Sequence, residues 1–222
     1  MSKPIKLDFS EKYDEQHAKQ YFLKHRSGLS RRLSNQRDRQ LARRALTLVG
    51  DPGLVLDLPC GAGRFWPLLA EKPNRVIIGA DNSEAMLKTA LEAQPSEVVK
   101  RVRPLHTSAF DIALPDNAVD SIFCMRLLHH IGEPAYRLAI LKEFERVSRD
   151  SVIVSLWVDG NFKAWKRKRL ERARGQKDYQ NRFVLPTDTV EEEFRQAGFR
   201  IQERLDFLPF YAMWRVYVLR KR

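Results

Sequence analysis

Apolar residues in this chain fall into short runs separated by stretches with helical spacing, the alternation that builds a parallel sheet covered on both faces. Val55-Leu56-Asp57-Leu58 reads as a first strand and Val76-Ile77-Ile78-Gly79-Ala80-Asp81 as a second. A third fits within Val98 to Leu105, a fourth spans Val119 to Met125, and a fifth runs from Ser151 to Val158. Between them the pattern predicts three helices. One covers residues 64–71, with Pro67 tolerated in its opening turn. The next is capped by Asn82 or Ser83 and carries Ala85, Met86, Ala90 and Leu91 on one side. The last runs from Glu133 to Val147 with Tyr136, Ala139, Ile140 and Phe144 at helical spacing.

The flanks differ from this core. Residues 1–50 read as a helical cap, with Tyr13, Ala18, Tyr21 and Phe22 early and Leu41, Ala42, Ala45 and Leu46 later, ended by Gly50-Asp51-Pro52-Gly53. Beyond the fifth strand come a basic lid segment, residues 159–186, and a helix from Thr187 to Gln196 closed by Gly198. Two strand-like runs follow, Phe199 to Asp206 and Tyr211 to Leu219, joined by a Leu-Pro-Phe turn. Such a hairpin adds antiparallel strands to a sheet edge.

With 222 residues, 43% of them apolar, the chain can bury one sizeable core, so residues 1–222 are expected to form a single domain. Its two cysteines, Cys60 and Cys124, lie in apolar strand-end contexts without metal-ligand spacing, as expected of a reduced, metal-free cytoplasmic protein. The N-terminus lacks an apolar signal core, and no apolar run is long enough to span a membrane. The net charge of +12 concentrates in Lys24–Arg44 and Lys163–Lys177, outside the strand-rich core. Cations so placed either meet an acidic partner or form solvated helix faces.

The candidate chemistry lies where the first strand ends, in Asp57-Leu58-Pro59-Cys60-Gly61-Ala62-Gly63. Glycines that open a helix let the backbone approach a ligand, and an acid at the end of the next strand, Asp81, is placed to accept hydrogen bonds from a ribose diol. A dinucleotide loop needs a third glycine where this chain has Trp66, which argues against a pyrophosphate. Asp57, four residues before Gly61, suits a ligand that carries an ammonium group.

These residues resemble the class I S-adenosylmethionine-dependent methyltransferases, of the small-molecule, type 11-like kind, over roughly residues 50 to 158. The resemblance implies a three-layer α/β/α Rossmann-like sandwich around a seven-stranded, mostly parallel sheet with its last strand reversed. It implies S-adenosyl-L-methionine as cofactor. Asp57 with the loop Pro59, Cys60, Gly61 and Gly63 would hold the methionine portion, Asp81 the ribose, and Asn82 would lie along the adenine. The family pattern has a glycine where Pro59 stands. After strand three, Ser108 takes the place of the family's acid; Ala109 or Asp111 would then contact the adenine amino group while Phe110 packs on the ring.

Met125 and Arg126 end strand four and are expected beside the cofactor, since ligands bind at the carboxyl ends of central parallel strands. His129 and His130 follow. Either is a candidate general base, and both are equally readable as structural residues at a helix start. In the basic segment, Phe162, Trp165, Leu170 and Ala173 share one helical side, with cations nearly all round. The expected acceptor is an anionic small molecule or a lipid- or sugar-linked one. RNA is the alternative partner, peripheral contact with an anionic membrane is compatible with the charge, and a non-catalytic cofactor-binding regulator is a third reading.

Overall fold

Successive residues of the central strands serve opposite cores. In β1 (Leu54–Asp57), Val55 enters one apolar cluster and Leu56 the other. In β4 (Val119–Cys124) and β5 (Ser148–Trp157), Ile122, Cys124, Val152 and Val154 face the second cluster, while Phe123 and Ile153 face the first. The period-2 alternation of a strand thus divides an almost uninterrupted apolar run between two helical layers, which is why these strands show no polar face.

The computed structural model describes residues 29–174 and 182–222; Tyr13, Ala18, Tyr21 and Phe22 lie outside them. On one face of the sheet pack α1 (Leu29–Leu48), α2 (Trp66–Leu69) and α3 (Glu84–Ala93). On the other face pack α5 (Pro134–Val147) and α7 (Thr187–Gln196), through Phe144 and Phe194 among others. Full burial of a side chain of that size contributes about 1.5–3 kcal/mol. The remaining elements are β2 (Val76–Asp81), α4 (Ser96–Val99), β3 (Val102–His106), α6 (Phe162–Arg174), β6 (Phe199–Asp206) and β7 (Trp214–Lys221). Among the described residues one sheet of seven strands runs β3-β2-β1-β4-β5-β7-β6. It is the expected three-layer sandwich.

Several boundaries differ from the expectation, each for a local reason. The hairpin does not simply extend the edge: β7 inserts between β5 and β6 and pairs antiparallel with both, so β7 alone is reversed. It starts at Trp214 rather than Tyr211, because the N–H groups of Tyr211 and Ala212 both donate to the Leu208 carbonyl and close a turn. Val98 and Val99 are helical, not extended. Pro95 precedes their turn, and its carbonyl accepts from both of their N–H groups (3.0 Å each).

The helix expected over residues 64–71 is only Trp66–Leu69. Arginines take its exposed carbonyls: Arg75 donates to Leu69 O (2.9 Å) and Arg101 to Ala70 O (2.5 Å), which ends the helix. Residues 29–48 are not a separate cap but a layer of the sandwich, with Leu41, Ala42, Ala45 and Leu46 buried on the sheet. On α6 the apolar side is exposed at Phe162, Trp165 and Leu170, while Ala164 is buried; the side chain of Ala173 lies outside the described residues.

Candidate active site

β1 and β2 are parallel neighbours, so the glycine loop and Asp81 emerge together from their carboxyl ends. Asp81 Oδ2 accepts from Gly61 N (2.9 Å) and Oδ1 accepts from Ser83 N (3.0 Å), bracing the loop against the start of α3. Cys60 N donates to Ala80 O (2.8 Å), and Gln94 Nε2 donates to Ala62 O (2.9 Å). Pro59 follows a cis peptide within this loop. The two glycines play different parts. A Cβ on Gly61 (φ +52°) would stand in open space, whereas one on Gly63 (φ +69°) would lie 2.8 Å from the Trp66 ring. Gly61 leaves the cradle open, and Gly63 makes room for a buried indole beneath it.

Under the cradle, both Asp57 carboxylate oxygens are buried without a hydrogen-bond partner. Burial, reinforced by the charge of Asp81, holds the Asp57 carboxyl well above its usual range; Trp66 Nε1 is near enough to oppose this but outside hydrogen-bonding geometry. Asp81 is pushed up to about 6, again mainly by burial, against the pull of the Gly61 and Ser83 N–H groups. Burial also raises the thiols of Cys60 and Cys124, so neither is a ready nucleophile.

The next strand completes one wall. Asp81 pairs in register with His106 of β3, which sets the loop 107–111 beside Asn82. Asn82 is exposed, and its carbonyl lies 3.1 Å from His106 Nε2. Ser108 Oγ accepts from Phe110 N (3.2 Å), Ala109 and Phe110 are half-buried, and Asp111 is exposed. Phe110 meets Tyr136 edge-on at 5.9 Å.

On the opposite side, Met125 is buried and Arg126 takes φ +70°, a left-handed turn fixed by its N–H donating to Ser155 Oγ (2.9 Å). That turn swings the guanidinium back to Asp38 on α1 and over the Trp214 ring, 5.0 Å from its centroid. Asp38 also pairs with Arg64 of the glycine loop (2.7 Å). Trp157 and Trp214 face each other across β5 and β7, with centroids 5.6 Å apart. Arg167 and Arg182 lie 5.1 and 5.8 Å from the Trp157 ring. The result is a pair of indoles ringed by guanidiniums.

His129 is buried against these indoles, stacked on Trp157 at 5.1 Å and edge-on to Trp214 at 4.8 Å, and its Nδ1 has no hydrogen-bond partner. Burial first, then the neighbouring His130 and arginines, lowers its pKa to about 2, so the ring is neutral at any physiological pH. His130 is half-buried beside it, 4.1 Å between centroids. Of the two, His129 has the wrong basicity for a general base near neutrality.

Sequence reasoning singled out the cradle, Met125-Arg126 and the histidines. It missed Asp38, Arg64, Gln94, Trp157 and Trp214. Of these, Trp157 carried a usable signal: it is a large aromatic at the carboxyl end of a predicted central strand. Among the described residues no group of His, Cys, Asp and Glu is arranged to hold a metal ion.

A sheet in this strand order, with β7 alone reversed and a glycine cradle over the carboxyl ends of β1 and β2, defines the class I methyltransferase fold. Residues 55–151 match a family described as methyltransferase domain. Over that span, a little under half of its length, the chain is similar to methyltransferase domains. It is similar to a tRNA U34 carboxymethyltransferase of Shewanella woodyi, 32% identical over 115 residues that cover 48% of this chain and 32% of the relative. It is also similar to the demethylmenaquinone methyltransferase of Geobacillus stearothermophilus, 31% identical over 97 residues, 43% of this chain and 40% of the relative. The match thus spans well under half of each curated relative. Among solved structures, magnesium protoporphyrin IX methyltransferase from Synechocystis PCC 6803 with bound SAH superposes with a TM-score of 0.77 at 16% identity, over 96% of this chain and 98% of that one.

Proposed function

We infer that this chain is an S-adenosylmethionine-dependent methyltransferase whose acceptor is an anion carrying a hydroxyl or amine, bound beside Arg126, Trp157 and Trp214. The observation that carries this reading is the juxtaposition of two unlike compartments along one row of strand ends. An acidic cradle (Asp57, Asp81, Gly61) suits a cationic nucleoside, and a guanidinium-ringed aromatic pair suits an anion. The two carboxyls would repel phosphate, and the arginines would repel a sulfonium.

The residues present fit the cofactor. The orphaned Asp57 carboxyl and the open face of Gly61 match an ammonium-bearing tail. Each Asp81 oxygen keeps a lone pair for a ribose hydroxyl beyond its backbone bond. Asn82 with the 108–110 loop would border the adenine. When bound, S-adenosylmethionine supplies both the electrophilic methyl group and the thioether leaving group. The chain's own work is then alignment and proton removal. Arg126 and Arg167 orient the anion, the indoles exclude water, and His130 takes the proton from a hydroxyl acceptor as the methyl–oxygen bond forms. Neutral His129 is a packing surface for the acceptor.

The alternative acceptor is RNA, favoured by the net charge of +12 and by the similarity to the Shewanella tRNA U34 carboxymethyltransferase. Transfer of a labelled methyl group into separated metabolite, lipid and RNA fractions tests both readings. Label in an anionic metabolite or lipid supports the first and label in RNA the second. Tight cofactor binding with no label in any fraction would instead leave a binding-only regulator.

A further inference from the structure

The main group of exposed apolar side chains lies where α6 begins. Among the described residues, six of the eight large apolar side chains left exposed belong to it: Phe162, Trp165 and Leu170 on α6, and Leu208, Phe210 and Tyr211 in the turn before β7. Single exposed apolar residues are ordinary, but a contiguous group marks an interaction surface. This one is contiguous and rigidly built. Phe162 N donates to Phe210 O (2.9 Å) and Lys163 N to Tyr211 O (3.0 Å), which ties the first turn of α6 to the tip. The Phe162 ring stacks on Tyr211 at 5.8 Å and lies 5.9 Å from Trp165. Phe210, with φ +60°, sits in the left-handed region that aromatic residues avoid, and its side chain is 88% exposed. The backbone is held in an unfavourable state that presents a phenyl ring to solvent.

Charge borders this tip. The eight residues from Phe207 to Trp214 carry none, while α6 supplies Lys163, Lys166 and Arg169, all exposed. Lys163 lies 5.3 Å from the Tyr211 ring and Arg169 5.7 Å from that of Trp165. The nearby acids are engaged with other cations: Asp159 pairs with Lys168 (3.5 Å) and Glu171 with Arg167 (2.7 Å).

We propose that this surface docks the protein on an anionic lipid bilayer, with Leu208, Phe210 and Trp165 entering the headgroup–acyl boundary and Lys163, Lys166 and Arg169 at headgroup level. Apolar residues outermost, aromatic residues at the boundary and cations one layer back are what an interfacial anchor requires. Single-stranded RNA would want open ring faces interleaved with cations. Here the Phe162 face is covered by Tyr211 at an interplanar angle of 12°, and the segment from Phe207 to Trp214 is uncharged. The inference holds whether or not the methyl acceptor is a lipid.

Co-sedimentation of the full chain with vesicles tests it. At about 0.1 M salt the protein should bind phosphatidylglycerol-containing vesicles at least about tenfold more tightly than pure phosphatidylcholine, and lose that preference near 1 M. Leu208→Ser/Phe210→Ser should weaken binding roughly tenfold with melting temperature and S-adenosylmethionine affinity unchanged. Lys163→Glu/Lys166→Glu should remove the preference for anionic lipid. No vesicle binding at low salt, or equal binding by the Leu208→Ser/Phe210→Ser variant, would overturn the proposal. So would polyuridylate binding without vesicle binding, or a dimer in light scattering that Phe210→Ser dissociates.

Discussion

Trp66 lies so close against Gly79 that a Cβ on Gly79 would stand 2.5 Å from the indole ring, with Val102 3.0 Å away on the other side. The indole therefore fills the space between the glycine loop and the middle of β2, and two glycines, Gly63 and Gly79, exist to admit it. Gly79→Ala should lose about 1–3 kcal/mol of stability through overpacking. Trp66→Phe introduced alongside should recover part of that loss, a coupling that chemical denaturation of the two single variants and the double variant measures directly. Additive losses would mean that the indole yields without strain.

Asp81→Asn should separate binding from stability. In the fold the Asp81 carboxyl titrates at about 6 against an ordinary value of 3.8, so the neutral form is favoured and stability falls as pH rises from about 4 to about 6. Above that range Asn avoids the buried charge, worth up to about 3 kcal/mol, but its NH2 group cannot accept one of the two N–H bonds from Gly61 and Ser83, so the net gain of the free protein should be smaller. The same change should weaken S-adenosylmethionine by about 1.5–3 kcal/mol, because charge-assisted hydrogen bonds to the ribose are lost. Thermal melts across pH, paired with calorimetry, report both effects.

Cofactor affinity should itself depend on pH. A cationic ligand favours ionised Asp81 and Asp57, so binding releases protons wherever either group is neutral beforehand. Affinity for S-adenosylmethionine should rise between pH 5 and pH 7, by at most about tenfold per unit for each group that ionises. Calorimetry in buffers of different ionisation enthalpy counts the protons released. A flat profile would show that neither carboxyl ionises on binding.

Arg137 is buried and fixes the turn after the histidines. It pairs with Glu193 of α7 and donates to the carbonyls of Ile131 (2.9 Å) and Gly132 (2.8 Å). Arg137→Met should cost about 3–5 kcal/mol, chiefly by leaving Glu193 buried and unpaired. Adding Glu193→Met should return much of that loss in urea unfolding.

The histidines should behave unequally. With a hydroxyl acceptor, His130→Ala should lower turnover ~10²–10⁴-fold while cofactor affinity holds. His129→Phe should chiefly raise the acceptor KM, since a ring that titrates at about 2 contributes no proton transfer near neutrality.

The fold was legible because its strands are buried on both faces and separated by helices of clear period: Thr187–Gln196 and Phe199–Asp206 fall where the pattern placed them. The cradle was legible because glycine spacing and two strand-terminal acids lie within a short stretch. Val98-Val99 misread because a β-branched pair looks extended until Pro95 sets a helical turn. Asp38, Trp157 and Trp214 were hidden for a different reason. They meet through pairings far apart in sequence, and neither the insertion of β7 beside β5 nor the reach of α1 to the strand ends is written in any local period. The shared apolar side of Phe162, Trp165 and Leu170 was legible on α6, but its exposure was not, because a small residue, Ala164, is the one buried against the domain.

Asp38 has one carboxylate and two guanidinium partners, Arg64 on the cofactor loop and Arg126 on the acceptor side. A ligand that draws Arg126 toward itself leaves Asp38 more fully to Arg64, and one that reshapes the cradle through Arg64 alters the hold on Arg126. If the two compartments fill as proposed, that single shared charge would link them, and linkage requires that each ligand change the other's affinity by the same factor. Helix α1 would then be the part of the molecule through which one half of the site senses the other, by way of Asp38.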